Sequence, residues 1–246
     1  MNWEDILNKL ETGELRSAQQ VNGKWIANKE VKQGILEAFK AGQLEQLGDF
    51  VDKHNIPARR FTPKDGIRIV PGGTSVRRGS YVAKGVIIMP PAYINIGAYV
   101  DEGTMVDSHA LVGSCAQIGK RVHLSAGVQI GGVLEPIGQS PVIIEDDAFI
   151  GAGSVIVEGI QVKKNVIIAP GVTLSNAVPI YDCVNERQLE RGEAIPENAV
   201  VVPGTRPVNK KLNWASEQSL QMNCAIIIKY RDTNSDASVE LEEFLR

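Results

Sequence analysis

Asp107 and Ser125 occupy equivalent positions in a repeating sequence and are candidates for chemistry. Asp107 follows the apolar residue Val106, and Ser125 follows Leu124 eighteen residues later. If the backbone repeats every eighteen residues, the two lie on one face, about 4.8 Å apart, which is the spacing of neighbouring strands. Ala126 and Gly127 come next, and such small residues leave room for a ligand against the backbone. Asp107 is therefore a candidate ligand contact.

A basic segment precedes this region and is opposed only by Asp65. Its residues are Arg59, Arg60, Lys64, Arg68, Arg77, Arg78 and Lys84. Guanidinium groups form paired hydrogen bonds with carboxylates and phosphates. The segment therefore predicts a small anionic ligand.

Other reactive groups give weaker signals. A His-rich metal site would need all three histidines, His54, His109 and His123, or several subunits, and His109 and His123 differ in phase. We therefore expect no metal site, and His123 is more typical of a structural position. Cys115 lies within the repeat beside inward positions, which favours a packed thiol over a nucleophile. No nucleophile elbow, phosphate-binding loop or dinucleotide fingerprint occurs in a suitable context.

An apolar residue at every sixth position determines the predicted fold. The series is Val70, Val76, Val82, Ile88, Ile94, Val100, Val106, Val112, Ile118, Leu124 and Ile130, and it resumes as Ile144, Ile150, Ile156, Val162, Ile168, Leu174 and Ile180. Hexapeptide periodicity is typical of a parallel β-helix. With three hexapeptides per coil, we predict a mainly β protein: a left-handed parallel β-helix shaped as a triangular prism.

The chain divides into three predicted parts. Residues 1–65 form a small α-helical cap with helices over 3–10 and 29–46 and an Asn-Gly hairpin between them. Residues 66–205 form the β-helix, with a loop insertion at 132–141. Residues 206–246 form a short α+β extension with a strand and a helix near 239–245. We expect the end pieces to cover the open ends of the prism.

Composition excludes several classes of protein. The 246 residues carry 26 Lys and Arg against 29 Asp and Glu, a formal charge of −3, which argues against a chain-wide polyanion-binding surface. The acidic start, the short apolar stretches and three widely spaced cysteines argue against a signal peptide, a membrane span and a disulfide framework. We therefore expect a cytoplasmic protein.

Several long sequence runs resemble the tetrahydrodipicolinate N-succinyltransferase family. They include Gly113-Ser114-Cys115-Ala116-Gln117-Ile118-Gly119 and Gly131-Gly132-Val133-Leu134-Glu135-Pro136. The similarity also covers residues 66–71, 91–107, 112–120, 122–125, 143–146 and 224–229 and the Asn-Gly hairpin. Single hexapeptides are weak evidence, but these longer runs are specific.

The resemblance implies an acyltransferase of lysine and diaminopimelate biosynthesis. Succinyl-CoA would be the cosubstrate and tetrahydrodipicolinate the acceptor, with homotrimers holding their sites between subunits. The residues matching Arg68 and Asp107 would bind the dicarboxylate, and Asp107 would orient its amine. We assign Ser125, Ala126 and Gly127 to the CoA. Val155 departs from the family, because some members have a glutamate there.

Two alternatives remain open at this stage. The same scaffold could transfer an acetyl group from acetyl-CoA to the same acceptor. A non-catalytic β-helix could instead serve as a binding or assembly protein.

Overall fold

The N-terminal region begins with two helices and two hairpins. The computed structural model describes residues 1–231, so the predicted helix near 239–245 lies outside the described residues. The elements, in chain order, are α1 (Trp3–Glu11), β1 (Ala18–Val21), β2 (Lys24–Ala27), α2 (Lys29–Ala41), β3 (Leu44–Leu47) and β4 (Phe50–Lys53). A short 3₁₀ helix, Pro63–Asp65, leads into the repeats.

Local sequence explains most of these boundaries. The Asn2 side chain caps α1 by accepting a hydrogen bond from the Asp5 amide at 2.8 Å, and Asn28 caps α2 in the same way. The β1–β2 turn has Asn22 and Gly23 at positive φ, as the Asn-Gly pair predicts. The prediction of one helix over 29–46 is wrong. The helix ends at Ala41 because Gly42 has an extended backbone conformation. Residues 44–47 then form the first strand of the second hairpin.

The repeats form three parallel sheets that are the faces of a prism. The cap face contains β7 (Tyr81–Val82), β10 (Tyr99–Val100), β13 (Gln117–Ile118), β16 (Ile143–Ile144) and β19 (Gln161–Val162). The Asp107 face contains β5 (Arg68–Ile69), β8 (Ile87–Ile88), β11 (Met105–Val106), β14 (His123–Leu124), β17 (Phe149–Ile150) and β20 (Ile167–Ile168). The third face contains β6 (Ser75–Val76), β9 (Tyr93–Ile94), β12 (Leu111–Val112), β15 (Gln129–Ile130), β18 (Val155–Ile156) and β21 (Thr173–Leu174).

The predicted eighteen-residue coil is confirmed by the strand register. Val82 pairs with Val100, which pairs with Ile118, and the inward residues of all three faces form one continuous core. The start of the series is wrong by one residue. Ile69, not Val70, pairs with Ile88, because the segment holding Gly72 and Gly73 adds one residue to the first coil.

The C-terminal part extends the Asp107 face. Its elements are β22 (Ile180–Asp182), β23 (Arg187–Gln188), β24 (Ala199–Pro207), α3 (Asn213–Glu217) and β25 (Gln221–Tyr230). Strand β24 continues the parallel stack beside β20 and pairs antiparallel with β25. Among residues 1–231, no helix is long and apolar enough to cross a membrane.

The N-terminal helices pack on the corner between the third face and the cap face through a second apolar cluster. Ile6, Leu7 and Ile35 from the helices meet Ile96 and Cys115 from the prism, and all five side chains are buried. Because this packing covers one corner of the prism over successive coils, it fixes the position of the N-terminal region relative to the coils.

The inserted loop at 132–141 docks against the same region. The fully buried Lys32 ammonium donates to the Gln139 carbonyl at 2.6 Å, and the Ser140 hydroxyl donates to the Trp25 carbonyl at 3.2 Å. Leu134 packs against the helical cluster. The loop therefore fastens the cap to the prism.

The inward column predicts a large difference between two leucine truncations. Leu124→Ala removes a fully buried core side chain and should lower the free energy of unfolding by about 2–5 kcal/mol. Leu44→Ala, at a position 68% exposed, should change it by less than about 0.5 kcal/mol. Urea unfolding of both variants measures this, and equal midpoints would contradict the assigned core.

Candidate active site

Asp107 lies at the corner that follows β11, where the backbone holds its carboxylate in place. Its amide donates to the Leu124 carbonyl of the next coil at 2.9 Å, and its Oδ1 accepts from the Ser108 amide at 2.6 Å. The side chain is half-buried. The carboxylate is therefore fixed in direction, and its Oδ2 takes part in none of the hydrogen bonds described for residues 1–231.

Ser125 is the neighbour of Asp107 on the next coil, as the spacing predicts. The pairing of Val106 with Leu124 places the two residues side by side. Ser125 is buried and Ala126 is exposed, while Gly127 has a φ of 72° and donates its amide to the Ser108 carbonyl at 2.8 Å. This corner therefore presents backbone beside the carboxylate.

Arg68 lies on the edge strand of the same face but does not contact Asp107. It pairs with Ile87, which pairs with Met105, so two strand spacings, about 10 Å, separate its backbone from β11. Its side chain is exposed, and it takes part in none of the hydrogen bonds or ion pairs described for residues 1–231. A ligand touching both groups must extend along the face.

Three of the other six cations of the basic segment make docking contacts, which corrects the interpretation of the segment as one anion-binding cluster. Arg77 pairs with Asp52 at 2.5 Å, and Arg78 donates to the Asn55 carbonyl at 2.8 Å. Arg59 donates to the Ser80 carbonyl and stacks on Phe61. Three of the seven cations therefore hold the N-terminal region, because the start of the prism lies against it.

His123 lies on the Asp107 face and interacts with the Asp107 charge, although the sequence indicated only a structural position for it. It follows Met105 by one coil and stacks on Phe149, with ring centroids 5.1 Å apart. Burial lowers the pKa of the imidazole, and the Asp107 carboxylate partly offsets that shift. The eighteen-residue register of the sequence could have predicted that His123 lies near Asp107. A single histidine, considered without that register, did not indicate it.

The other sequence candidates lie elsewhere. Cys115 is fully buried, and burial raises the pKa of its thiol to about 11, so the prediction of a packed thiol is confirmed. His109 is an exposed turn residue with a φ of 62°, and Val155 lies on the third face. The described residues 1–231 contain no group of three His, Cys, Asp or Glu side chains arranged to hold a metal ion.

Comparison with known families gives two matches to this chain. The family described as tetrahydrodipicolinate N-succinyltransferase N-terminal matches residues 3–41. The family described as hexapeptide repeat of succinyl-transferase matches residues 141–176. The matches fall on the helical cap and on the later coils.

Three relatives share the name 2,3,4,5-tetrahydropyridine-2,6-dicarboxylate N-succinyltransferase. The protein of Azoarcus sp. strain BH72 is 42% identical, over 98% of this chain and 88% of its own length. The protein of Paraburkholderia phymatum is 45% identical, over 98% and 86%. The protein of Legionella pneumophila is 43% identical, over 98% and 87%. The similarity thus spans the cap, the coils and the C-terminal part.

The Asp107–His123 pair predicts a change in imidazole titration. Asp107→Asn removes a negative charge that favours the imidazolium, so the pKa of His123 should fall further. Asp49→Asn, at an exposed site in the second hairpin loop, should leave it unchanged. Nuclear magnetic resonance titration of the imidazole C–H signals measures both, and an unchanged His123 in Asp107→Asn would refute the coupling.

Proposed function

The chain belongs to the family of 2,3,4,5-tetrahydropyridine-2,6-dicarboxylate N-succinyltransferases, and we propose that it transfers a succinyl group from succinyl-CoA to the amine of tetrahydrodipicolinate. The observation that carries this proposal is identity above 40% over 98% of the chain. The product would enter lysine and diaminopimelate biosynthesis. The relatives favour succinyl-CoA over acetyl-CoA as the donor.

Asp107 and Arg68 divide the recognition of the acceptor in this proposal. Arg68 is exposed and uncommitted among the described residues, and its guanidinium can bind a carboxylate through two parallel hydrogen bonds. The Oδ2 of Asp107 accepts a hydrogen bond from the acceptor amine and directs the nitrogen lone pair at the thioester. Carboxylates are weak bases at neutral pH, so orientation is the main role of Asp107.

The reaction then proceeds by direct attack in a ternary complex. The amine nitrogen forms a bond to the succinyl carbonyl carbon, the carbon–sulfur bond breaks, and the CoA thiolate takes up the proton that the amine loses. Holding both reactants together supplies much of the rate. No covalent acyl-enzyme is needed.

The corner after β14 offers one backbone donor for the oxyanion. The amides of Asp107, Ser125 and Gly127 already donate to carbonyls of neighbouring coils. The Ala126 amide makes none of the hydrogen bonds described for residues 1–231, and the residue is exposed. We therefore assign Ala126 to the developing oxyanion and the Ser125–Gly127 segment to the CoA.

A homotrimer would complete this site in our proposal. The outer positions of the Asp107 face include Ile87, Met105 and Phe149, which are only half-buried in the single chain. A neighbouring subunit against this face would cover them and exclude water from the thioester. Because succinyl-CoA is a soluble metabolite, we place the reaction in the cytoplasm.

Asp107→Asn tests the orienting carboxylate. We expect kcat to fall about 100-fold or more, since the uncharged asparagine holds the acceptor amine less firmly toward the thioester. The KM for the acceptor should rise much less, because Arg68 still binds its carboxylate. Release of free CoA thiol measures both constants, with Asp49→Asn as the matched control. Turnover close to that of the unmodified enzyme would exclude this role for Asp107.

Arg68→Lys tests recognition of the carboxylate. A lysine keeps the charge but loses the paired hydrogen bonds, so the KM for the acceptor should rise about tenfold with a smaller change in kcat. Lys84→Met removes a different exposed cation of the basic segment and should leave both constants unchanged. A KM that is unchanged in Arg68→Lys but raised in Lys84→Met would point to general charge attraction instead, since only the second substitution removes a charge.

A further inference from the structure

A cleft separates the β1–β2 hairpin from the cap face, on a different side of the prism from Asp107. Its volume is about 530 Å³, within the range of small-molecule sites. Trp25 and Gln20 line the hairpin side, and Asp101, Gln117 and Asp146 line the prism side. The Trp25 indole donates to Glu145 Oε1 across the cleft at 2.8 Å, which holds the two walls together.

Arg16 is a cation of this cleft that forms no direct ion pair among residues 1–231. Its guanidinium lies 3.7 Å from the Tyr99 ring centroid and 5.1 Å from that of Trp25, and its Nε donates to Gln117 Oε1 at 2.9 Å. No ion pair described for residues 1–231 includes Arg16, and its two Nη atoms make none of the described hydrogen bonds. Burial lowers the pKa of the guanidinium, while Tyr99, Asp101 and Asp146 offset part of the shift. A partly desolvated cation of this kind favours an anion.

The carboxylates of the cleft also have unused oxygens. Asp101 Oδ1 accepts from the Glu102 amide, and Asp146 Oδ1 accepts from the Lys120 amide. Neither Oδ2 takes part in the hydrogen bonds or ion pairs described for residues 1–231. The cleft therefore offers acceptors for an ammonium group beside a donor for a carboxylate.

The balance of charge gives the class of ligand. Glu14 is paired with Lys9 at 2.6 Å and Lys120 with Glu102 at 3.5 Å, so partners outside the cleft neutralise both. The remaining charged residues are the cations Arg16 and Lys164 and the carboxylates Asp101, Glu145 and Asp146. One negative charge is left in excess, which suits a zwitterion carrying one extra positive charge.

From this arrangement we infer that the cleft binds a basic α-amino acid, with its carboxylate on Arg16 and its ammonium groups among Asp101, Glu145 and Asp146. The aliphatic part of the ligand would lie against Trp25. The site is separate from acyl transfer, because Asp107 lies on another face of the prism.

Isothermal titration calorimetry with L-lysine, L-norleucine and L-glutamate tests the inference, because the three amino acids differ in side-chain charge. L-lysine should bind at one site per chain. L-norleucine lacks only the second ammonium and should bind at least tenfold more weakly, and L-glutamate, with a second carboxylate, should give no binding. Equal affinity for L-lysine and L-norleucine, or no binding of L-lysine, would overturn the inference.

Substitutions locate the site. Arg16→Gln and Asp101→Asn should each weaken L-lysine binding at least tenfold. Arg187 pairs with Glu193 in the C-terminal part and does not line the cleft. The Arg187→Gln variant should therefore bind L-lysine as the unmodified protein does. Asp101→Asn serves as the second variant because Arg16 also contacts the prism and its loss could loosen the cap. Unchanged affinity in Asp101→Asn would contradict the assignment.

Asp107→Asn separates this site from the acceptor site. The variant should bind L-lysine with unchanged affinity even where acyl transfer is lost. Loss of L-lysine binding in Asp107→Asn would place the ligand on the Asp107 face and refute the cleft. The result therefore stands apart from the success or failure of the proposed reaction.

Discussion

The backbone hydrogen bonds between successive coils place every residue of the candidate active site. The Asp107 amide bonds to Leu124, and the Ser125 amide bonds to Ile150, so a residue's position in its hexapeptide fixes both its face and its height along the prism. The inward column of Ile, Leu and Val residues makes this register specific, since a slip of one residue would turn core side chains outward. The coil-to-coil hydrogen bonds and the core beneath them therefore position both the carboxylate and the open corner beside it.

The cap adds a second level of organisation through charged side chains. Arg77 reaches Asp52, Lys32 reaches the inserted loop, and Arg16 reaches Gln117, so the cations connect separate parts of the chain. Apolar packing around Ile96 and Cys115 holds the helices, but the β1–β2 hairpin stands off the face and leaves the cleft. One face of the prism is thus engaged by the cap, while the proposed reaction takes place on the Asp107 face.

The sequence predicted features that depend on local pattern and missed those that depend on contacts between distant residues. The hexapeptide series gave the coil length and the Asp107–Ser125 pair because side-chain direction follows directly from strand period. It missed the extra residue near Gly72 and Gly73, since Val70 is as apolar as Ile69. The basic segment appeared uniform in sequence. In the structure, however, Arg59, Arg77 and Arg78 make docking contacts because the cap lies beside them, whereas Arg68 is exposed. Arg16 and Asp101 are 85 positions apart, so only the fold brings them to one cleft.

The central claim is acyl transfer from succinyl-CoA to tetrahydrodipicolinate on the Asp107 face, and release of CoA thiol by the purified protein tests it most directly. The account predicts rapid release that requires the acceptor, with succinyl-CoA strongly preferred over acetyl-CoA. Preference for acetyl-CoA would contradict the assigned donor. No acceptor-dependent release with either thioester would contradict the reaction itself.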